Sequence, residues 1–260
     1  MSNNKVAIVS GGATMIGQKV ALALHSEGCK IIIGDINSED GEAFVKELGD
    51  DAIFVTTDVT SDASIDNCIE QAISTFGGID YLVNVAATYL DNGIKSTRDE
   101  WLTALNTNIV GGALFTEKVS GHMQKRGGGA VVFFCSISAK IAQPGRMLYA
   151  VSKAAILGMT RNMAMALAPM NIRANSVSPG WVWSNPIRDF SGNDRAKADT
   201  IGGPMHMLNR IVDPEEVANT VAFLCSDKAS GITGTDVAVD CGYTAMGPEQ
   251  AEDKVSKLAE

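Results

Sequence analysis

The 260-residue chain has few cysteines, few histidines, few aromatic residues and too little positive charge to balance its acids. Each shortage removes a class of reading. The five cysteines (Cys29, Cys68, Cys135, Cys225, Cys241) are odd in number, scattered and without C-x-x-C spacing. That argues against a disulfide framework or a thiolate metal site, so no metal is expected and a reducing, cytoplasmic setting is. None of His25, His122 and His206 lies in a segment that would serve Cys135, so a thiol nucleophile is not expected either. Twenty-one basic against thirty acidic residues leave a net charge of −9. A nucleic-acid backbone needs clustered positive charge, and an anionic membrane surface would repel this chain, so neither is an expected partner. No apolar run approaches the ~18–20 residues of a spanning helix. The first five residues lead straight into Val6-Ala7-Ile8-Val9, a stretch too short for the apolar part of a leader.

What is present is ordinary globular material, 45% hydrophobic and 20% charged, enough for a sizeable core. Short β-branched runs at 6–10, 30–34, 52–56, 81–84, 130–135, 173–177 and 236–239 read as strands. Helical stretches at 16–27, 38–48, 61–76, 98–125, 149–167 and 214–225 fall between them. Most of the strands are apolar on both faces, as strands covered by helices on both sides must be. Strict alternation predicts an α/β, doubly wound, seven-stranded parallel sheet in one domain, spanning 1–246. Residues 184–209, rich in Gly and Pro with a weak helical signal at 194–201, read as a lid over a binding site. Residues 247–260 form a polar tail.

The first strand runs into Ser10-Gly11-Gly12-Ala13-Thr14-Met15-Ile16-Gly17 at the start of a helix. Glycines let the backbone turn sharply, and the helix N-terminus offers free N–H groups to a pyrophosphate. The second strand ends at Asp35, whose carboxylate suits adenosine ribose hydroxyls and repels a 2′-phosphate. Neither Thr14 nor Ile36 is basic, so NAD is expected over NADP. Further on, Tyr149 and Lys153 stand at i and i+4, one turn apart on a helix face. A fixed cation favours a phenolate, and a phenol of lowered pKa can take a proton from an alcohol. Cys135-Ser136 ends the fifth strand, thirteen positions before Tyr149.

These motifs together resemble the short-chain dehydrogenase/reductase family, in order from residue 5 to about 243. The glycine segment is similar to that family's T-G-x-x-x-G-x-G, with Ser10 for the Thr, Gly11 and Gly17 matching, and Met15 in place of the middle Gly. Asp58-Val59 resembles its adenine-contacting pair, and Asn84-Val85-Ala86-Ala87 its N-N-A-G segment. Asn108-Ile109-Val110-Gly111 is similar to N-x-x-G, and Pro179-Gly180-Trp181-Val182-Trp183-Ser184 to P-G-x-x-x-T. Phe133-Phe134-Cys135-Ser136 stands where the family has N-I-S-S, with the last Ser kept. The resemblance implies a Rossmann-type fold and a catalytic set of Asn108, Ser136, Tyr149 and Lys153. Ser136 would orient the substrate oxygen, and Asn108 would anchor a relay water. It also implies NAD contacts at Gly11, Thr14, Met15, Ile16, Gly17, Asp35, Asp58, Val59, Asn84, Ala86, Tyr149, Lys153, Pro179, Gly180, Val182 and Ser184. Finally, it implies a homotetramer built through the helices at 98–125 and 149–167.

The substrate pocket is expected from Ser138, Gln143, Trp181, Trp183, Phe190 and Met205, with Met147, Ile187, His206 and Met207 nearby. These are mostly apolar, which suggests a small secondary alcohol or its ketone, cyclic or aromatic, worked on by an NAD-dependent dehydrogenase. Arg146 and Arg188 count against a purely apolar substrate, because either can meet a carboxylate or sulfonate. The alternatives are a biosynthetic ketoreductase acting on a 3-oxoacyl thioester and a non-catalytic nucleotide-binding scaffold.

Overall fold

The computed structural model describes residues 5–247 and 254–259. Seven parallel strands form one sheet: β1 (Val6–Ser10), β2 (Lys30–Asp35), β3 (Ala52–Thr56), β4 (Tyr81–Asn84), β5 (Gly129–Phe134), β6 (Ile172–Pro179) and β7 (Asp236–Val239). Their order is β3-β2-β1-β4-β5-β6-β7, and the sheet is parallel and doubly wound, as the strand–helix alternation predicts. Period-two side-chain alternation gives each face its own apolar layer. Ala7 and Val9 face one way, Val6 and Ile8 the other, and all four are fully buried.

On the first face pack α1 (Met15–Ser26), α2 (Ser38–Leu48) and α9 (Pro214–Cys225), through Val20, Leu24, Phe44 and Val221. On the second pack α3 (Asp62–Phe76), α5 (Gly111–Lys125) and α6 (Met147–Leu167), through Ile65, Phe115, Val119 and Ile156. Fully burying a side chain such as Phe115 contributes about 1.5–3 kcal/mol. Chain order reverses between β1, which pairs with β2, and its other neighbour β4. A doubly wound sheet opens a crevice at such a point, beyond the carboxyl ends of its strands.

Two differences from the sequence reading matter to the site. The helix expected at 98–125 is two, α4 (Arg98–Leu105) and α5, joined by a wider π-helical turn at Asn106–Val110. Gly111-Gly112 weakens the helix there, and Asn108 directs its side chain to bonds outside it. The segment 184–209, expected as a lid, holds an unforeseen helix, α7 (Asn185–Ser191), besides α8 (Arg195–Gly202). Its signals were in plain view: Ser184 at the cap, Pro186 in the first turn and Gly192 at φ 73° past the end. Of the tail expected at 247–260, residues 248–253 and 260 lie outside the described residues. Among the described residues no helix is long and apolar enough to cross a membrane.

Candidate active site

The glycine turn sits beyond β1. Gly11 has φ 70° and donates to the Gly34 carbonyl at 2.8 Å. A Cβ on it would lie 2.5 Å from the Ala86 nitrogen, so only glycine lets the turn approach the end of β4 this closely. A Cβ on Gly17 would lie 2.2 Å from the Gly11 carbonyl oxygen, which ties the first turn of α1 to the same requirement. The Thr14 side chain caps α1, accepting from the Gly17 N–H at 3.1 Å. Asp35 is buried at the end of β2. Its carboxylate accepts from the Ala13 N–H at 3.0 Å and from the Asn37 N–H at 3.0 Å, which fixes its position beside the turn.

A cavity of about 730 Å³ opens over the carboxyl ends of the strands. Of the residues the sequence points to for a dinucleotide, Thr14, Ile16, Tyr149, Lys153, Pro179, Gly180, Val182 and Ser184 line it. Val59, Asn84 and Ala86 line a smaller neighbouring cavity of about 10 Å³ together with Asn108 and Lys153. Gly11, Met15, Gly17, Asp35 and Asp58 line neither. Met15 donates its N–H to the Asn185 side chain at 2.9 Å, joining the glycine turn to the lid helix α7. Asp58 is exposed and accepts from the N–H and hydroxyl of Thr60 at 2.8 and 2.7 Å, shaping the turn into α3.

The polar floor is assembled from β5, the π turn and α6. Lys153 is only 3% exposed, and its ammonium donates to the Phe134 carbonyl at 2.7 Å. It lies 5.5 Å from the Tyr149 ring centre. Burial pushes the Lys153 amine down to about 8. Burial also raises the Tyr149 phenol above its ordinary value, and Tyr89 adds to that, while the Ser136 hydroxyl and the Arg146 guanidinium pull it back down. The lowering expected from Lys153 is not seen, and desolvation dominates. The Ser136 hydroxyl donates to Ser138 at 3.3 Å, and Ser138 hydrogen bonds Gln143. Burial raises the Cys135 thiol, and its Sγ donates to the Lys153 carbonyl at 3.2 Å, so it is held as a thiol.

The Asn108 side chain is fully engaged. Its amide donates to the Thr88 carbonyl at 3.1 Å and to the Ser152 hydroxyl at 3.0 Å, and its oxygen accepts from the Thr88 N–H at 2.7 Å. It pins the π turn to α6 and to the segment after β4.

Ser138, Gln143, Trp181, Phe190 and Met205 line the cavity as the sequence reading has them. Trp183 does not. It stands off the lining, with the Arg195 guanidinium 5.8 Å from its ring centre. Other site residues went unread, Tyr89 and Asp91 among them. Tyr89 stacks on Tyr149, with ring centres 5.1 Å apart and 21° between planes. Asp91 accepts from the Tyr149 N–H at 2.9 Å, capping the first turn of α6. An aromatic just past the fourth strand was a usable hint for Tyr89. Asp91 had none, because its partner is 58 residues away. His206 is buried, with Nδ1 against the Gly202 carbonyl at 2.8 Å, and lies outside the cavity lining.

Comparison with known proteins agrees with this geometry. The family described as Enoyl-(Acyl carrier protein) reductase matches residues 11–244. A 3-alpha-(or 20-beta)-hydroxysteroid dehydrogenase of Mycobacterium tuberculosis is 35% identical over 93% of this chain and 90% of its own. A dehydrogenase/reductase SDR family member 4 of Sus scrofa is 34% identical over 92% and 87%. A cis-4-hydroxycyclohexanecarboxylate dehydrogenase of Sinomonas cyclohexanicum is 32% identical over 93% and 97%. Matched to such relatives over more than nine-tenths of its length, the chain belongs to the short-chain dehydrogenase/reductase family of oxidoreductases.

Proposed function

We propose that the protein is an NAD-dependent dehydrogenase that interconverts a small secondary alcohol, cyclic or aromatic, with its ketone. The observation that carries this reading is the placing of Tyr149: a buried phenol facing the cavity, with the Ser136 hydroxyl on one side and the Lys153 ammonium beneath. Apolar walls at Trp181, Ile187, Phe190 and Met205 favour a ring or short carbon frame. Relatives named for a hydroxysteroid and a hydroxycyclohexanecarboxylate support a ring alcohol.

The residues fit a nicotinamide dinucleotide. The cavity takes in Thr14 and Ile16 beside the N-terminus of α1, and Ser184 at the cap of α7. The glycine turn and that helix end would hold the pyrophosphate. Each Asp35 oxygen keeps a lone pair beyond its backbone bond for a ribose hydroxyl, which favours NAD. The ring, when bound, supplies the hydride acceptor for the alcohol carbon. Tyr149 removes the hydroxyl proton, Ser136 donates to the substrate oxygen, and Lys153 stabilises the phenolate. The 10 Å³ cavity between Asn108 and Lys153 has room for about one water, which suits a proton relay from Lys153.

The five cysteines are free thiols, consistent with the cytoplasmic location we assign. Leu102, Val110 and Leu114 on the α4–α5 side and Val151 and Met165 on α6 are exposed, and we assign these faces to a homotetramer. A sedimentation measurement giving monomer alone rejects that assembly. The activity is tested with a panel of secondary alcohols and NAD, followed at the absorbance of the reduced cofactor. Oxidation of cyclic secondary alcohols is expected. Binding of the cofactor with no turnover across the panel rejects the reading.

A further inference from the structure

We propose that the alcohol taken by this site carries a carboxylate, and that Arg146 binds it. The inference rests on the dehydrogenase reading above and adds a substrate class to it.

Of the two arginines that count against an apolar substrate, the structure separates one from the other. Arg188 pairs with Asp189 at 2.9 Å and does not line the cavity. Arg146 is half-buried and lines it, at the N-terminal end of α6. Its guanidinium lies 5.4 Å from the Tyr149 ring centre and 5.8 Å from that of Tyr89. Those two aromatic faces position the guanidinium but satisfy none of its N–H donors with an oxygen. Among the described residues, every other lysine or arginine that is not exposed bonds to a carboxylate or a backbone carbonyl. Arg195, for example, pairs with Asp199, Arg210 with Glu216, and Lys153 with the Phe134 carbonyl. Arg146 has neither kind of partner.

The electrostatics of the cavity point the same way. Among the described residues, the only charged side chains that line it are Arg146 and Lys153, and no acid does, in a chain of net charge −9. Lys153 is committed at the floor to the Phe134 carbonyl. Arg146 is therefore the cation open to a ligand. A guanidinium presents paired donors that match a carboxylate, and a cavity wall of low dielectric strengthens the bond. Because the guanidinium lies 5.4 Å from the centre of the reacting phenol's ring, one ligand can reach both groups. A hydroxyl and a carboxylate on opposite sides of a ring meet both ends of that arrangement.

The test compares kcat/KM for a hydroxycyclohexanecarboxylic acid with that for its methyl ester, in the wild type, Arg146→Gln and Arg146→Lys. The ratio separates recognition of the charge from any general effect of disturbing the Tyr149 stack. The wild type is expected to favour the acid, and Arg146→Gln to cut the acid-to-ester ratio by about 10–100-fold, with Arg146→Lys keeping part of it. Binding of unreactive cyclohexanecarboxylate and of its amide to the protein without cofactor, followed by calorimetry, gives a second readout. The acid is expected to bind tighter, and Arg146→Gln to remove the difference. No preference for the acid in the wild type, or a ratio that Arg146→Gln leaves intact, overturns the anchor while the dehydrogenase reading stands. If the acid binds through Arg146 but neither compound is oxidised, the anchor stands and the dehydrogenase reading falls.

Discussion

At the cavity floor Lys153, Asn108 and Asp91 each direct hydrogen-bonding atoms to a named partner on another element, and Ser136 bonds Ser138 within its own turn. Across the cavity the segment 184–209 leaves Phe190, Ile201, Met207 and Leu208 more than half exposed. The two walls of one cleft are thus built differently. The floor rests on β5 and a 21-residue helix, where a side chain has one place to be. The lid is made of two short helices and turns, with few apolar contacts to hold it in one arrangement. Proton transfer needs groups set within hydrogen-bond reach before the substrate arrives, and that is what the floor provides. A range of carbon frames needs walls that adapt, and an exposed Phe with flexible Met neighbours provides that.

If this division is right, the largest effect belongs to the floor. Tyr149→Phe removes the proton acceptor and keeps the ring stack with Tyr89, so kcat is expected to fall by about 10²–10⁴-fold with little change in melting temperature. Stopped-flow or steady-state rates with a ring alcohol check this. Oxidation at the parent rate would remove the floor from the chemistry altogether.

Lys153→Met is the next test, and it moves activity and stability in opposite directions. Activity falls, because the phenolate loses its cation. Stability rises, because burial of a charged amine is unfavourable. Lys153 is protonated in both folded and unfolded chains below its folded pKa of about 8, so the burial penalty is full there. As pH climbs from about 8 towards 10.5 the folded amine is neutral while the unfolded one still holds its proton, and the penalty fades. The variant is therefore expected to be about 1–3 kcal/mol more stable at pH 7, with the advantage shrinking over that interval. Denaturant titrations at pH 7 and pH 10 measure it. A less stable variant at pH 7 would mean that the bond to the Phe134 carbonyl outweighs desolvation.

How much of this was legible in the sequence follows the same division. Strands and helices repeat locally, so Val6–Ser10, the alternating core and the Tyr149–Lys153 turn could be read from neighbours. The glycines at 11 and 17 were legible because backbone sterics demand them. Asp91 and Asn185 were not, because each acts on a partner 58 or 170 residues away, and no periodicity reports such a contact. The π turn was hidden for a related reason: Asn108 leaves helical pairing for Thr88 and Ser152, which only the fold brings close. Trp183 was misplaced because nothing local distinguishes it from Trp181, and the Arg195 that it meets lies in the lid.

Asp35→Ala probes the far end of the fixed wall. Removing the carboxylate is expected to bring kcat/KM for NADP within about 10-fold of that for NAD without abolishing turnover, since each lost or relieved charged contact is worth about 1.5–3 kcal/mol. Parallel titrations of the two cofactors decide, and an unchanged preference would mean that Asp35 serves only the Ala13 and Asn37 N–H groups. Asp91→Ala should be milder. It strips the cap from the Tyr149 N–H and is expected to lower stability by about 0.5–2 kcal/mol, with Asp91→Asn recovering most of it. Because that cap orients the first turn of α6, kcat should follow stability in this pair, where KM should not.

The smallest stability effect is expected on the lid, where the comparison is most exposed to failure. Phe190 lines the cavity yet is 84% exposed, so cutting it to Ala removes little buried surface. Folding stability should move by less than about 0.5 kcal/mol. What the ring offers is a wall for the substrate, so KM for a bulky ring alcohol should rise a few-fold while kcat, set at the floor, holds. A small acyclic alcohol that never reaches the wall should show no change in KM. If Phe190→Ala instead lowers kcat for both substrates by the same factor, the lid takes part in assembling the floor, and the separation of fixed chemistry from adaptable recognition does not describe this enzyme.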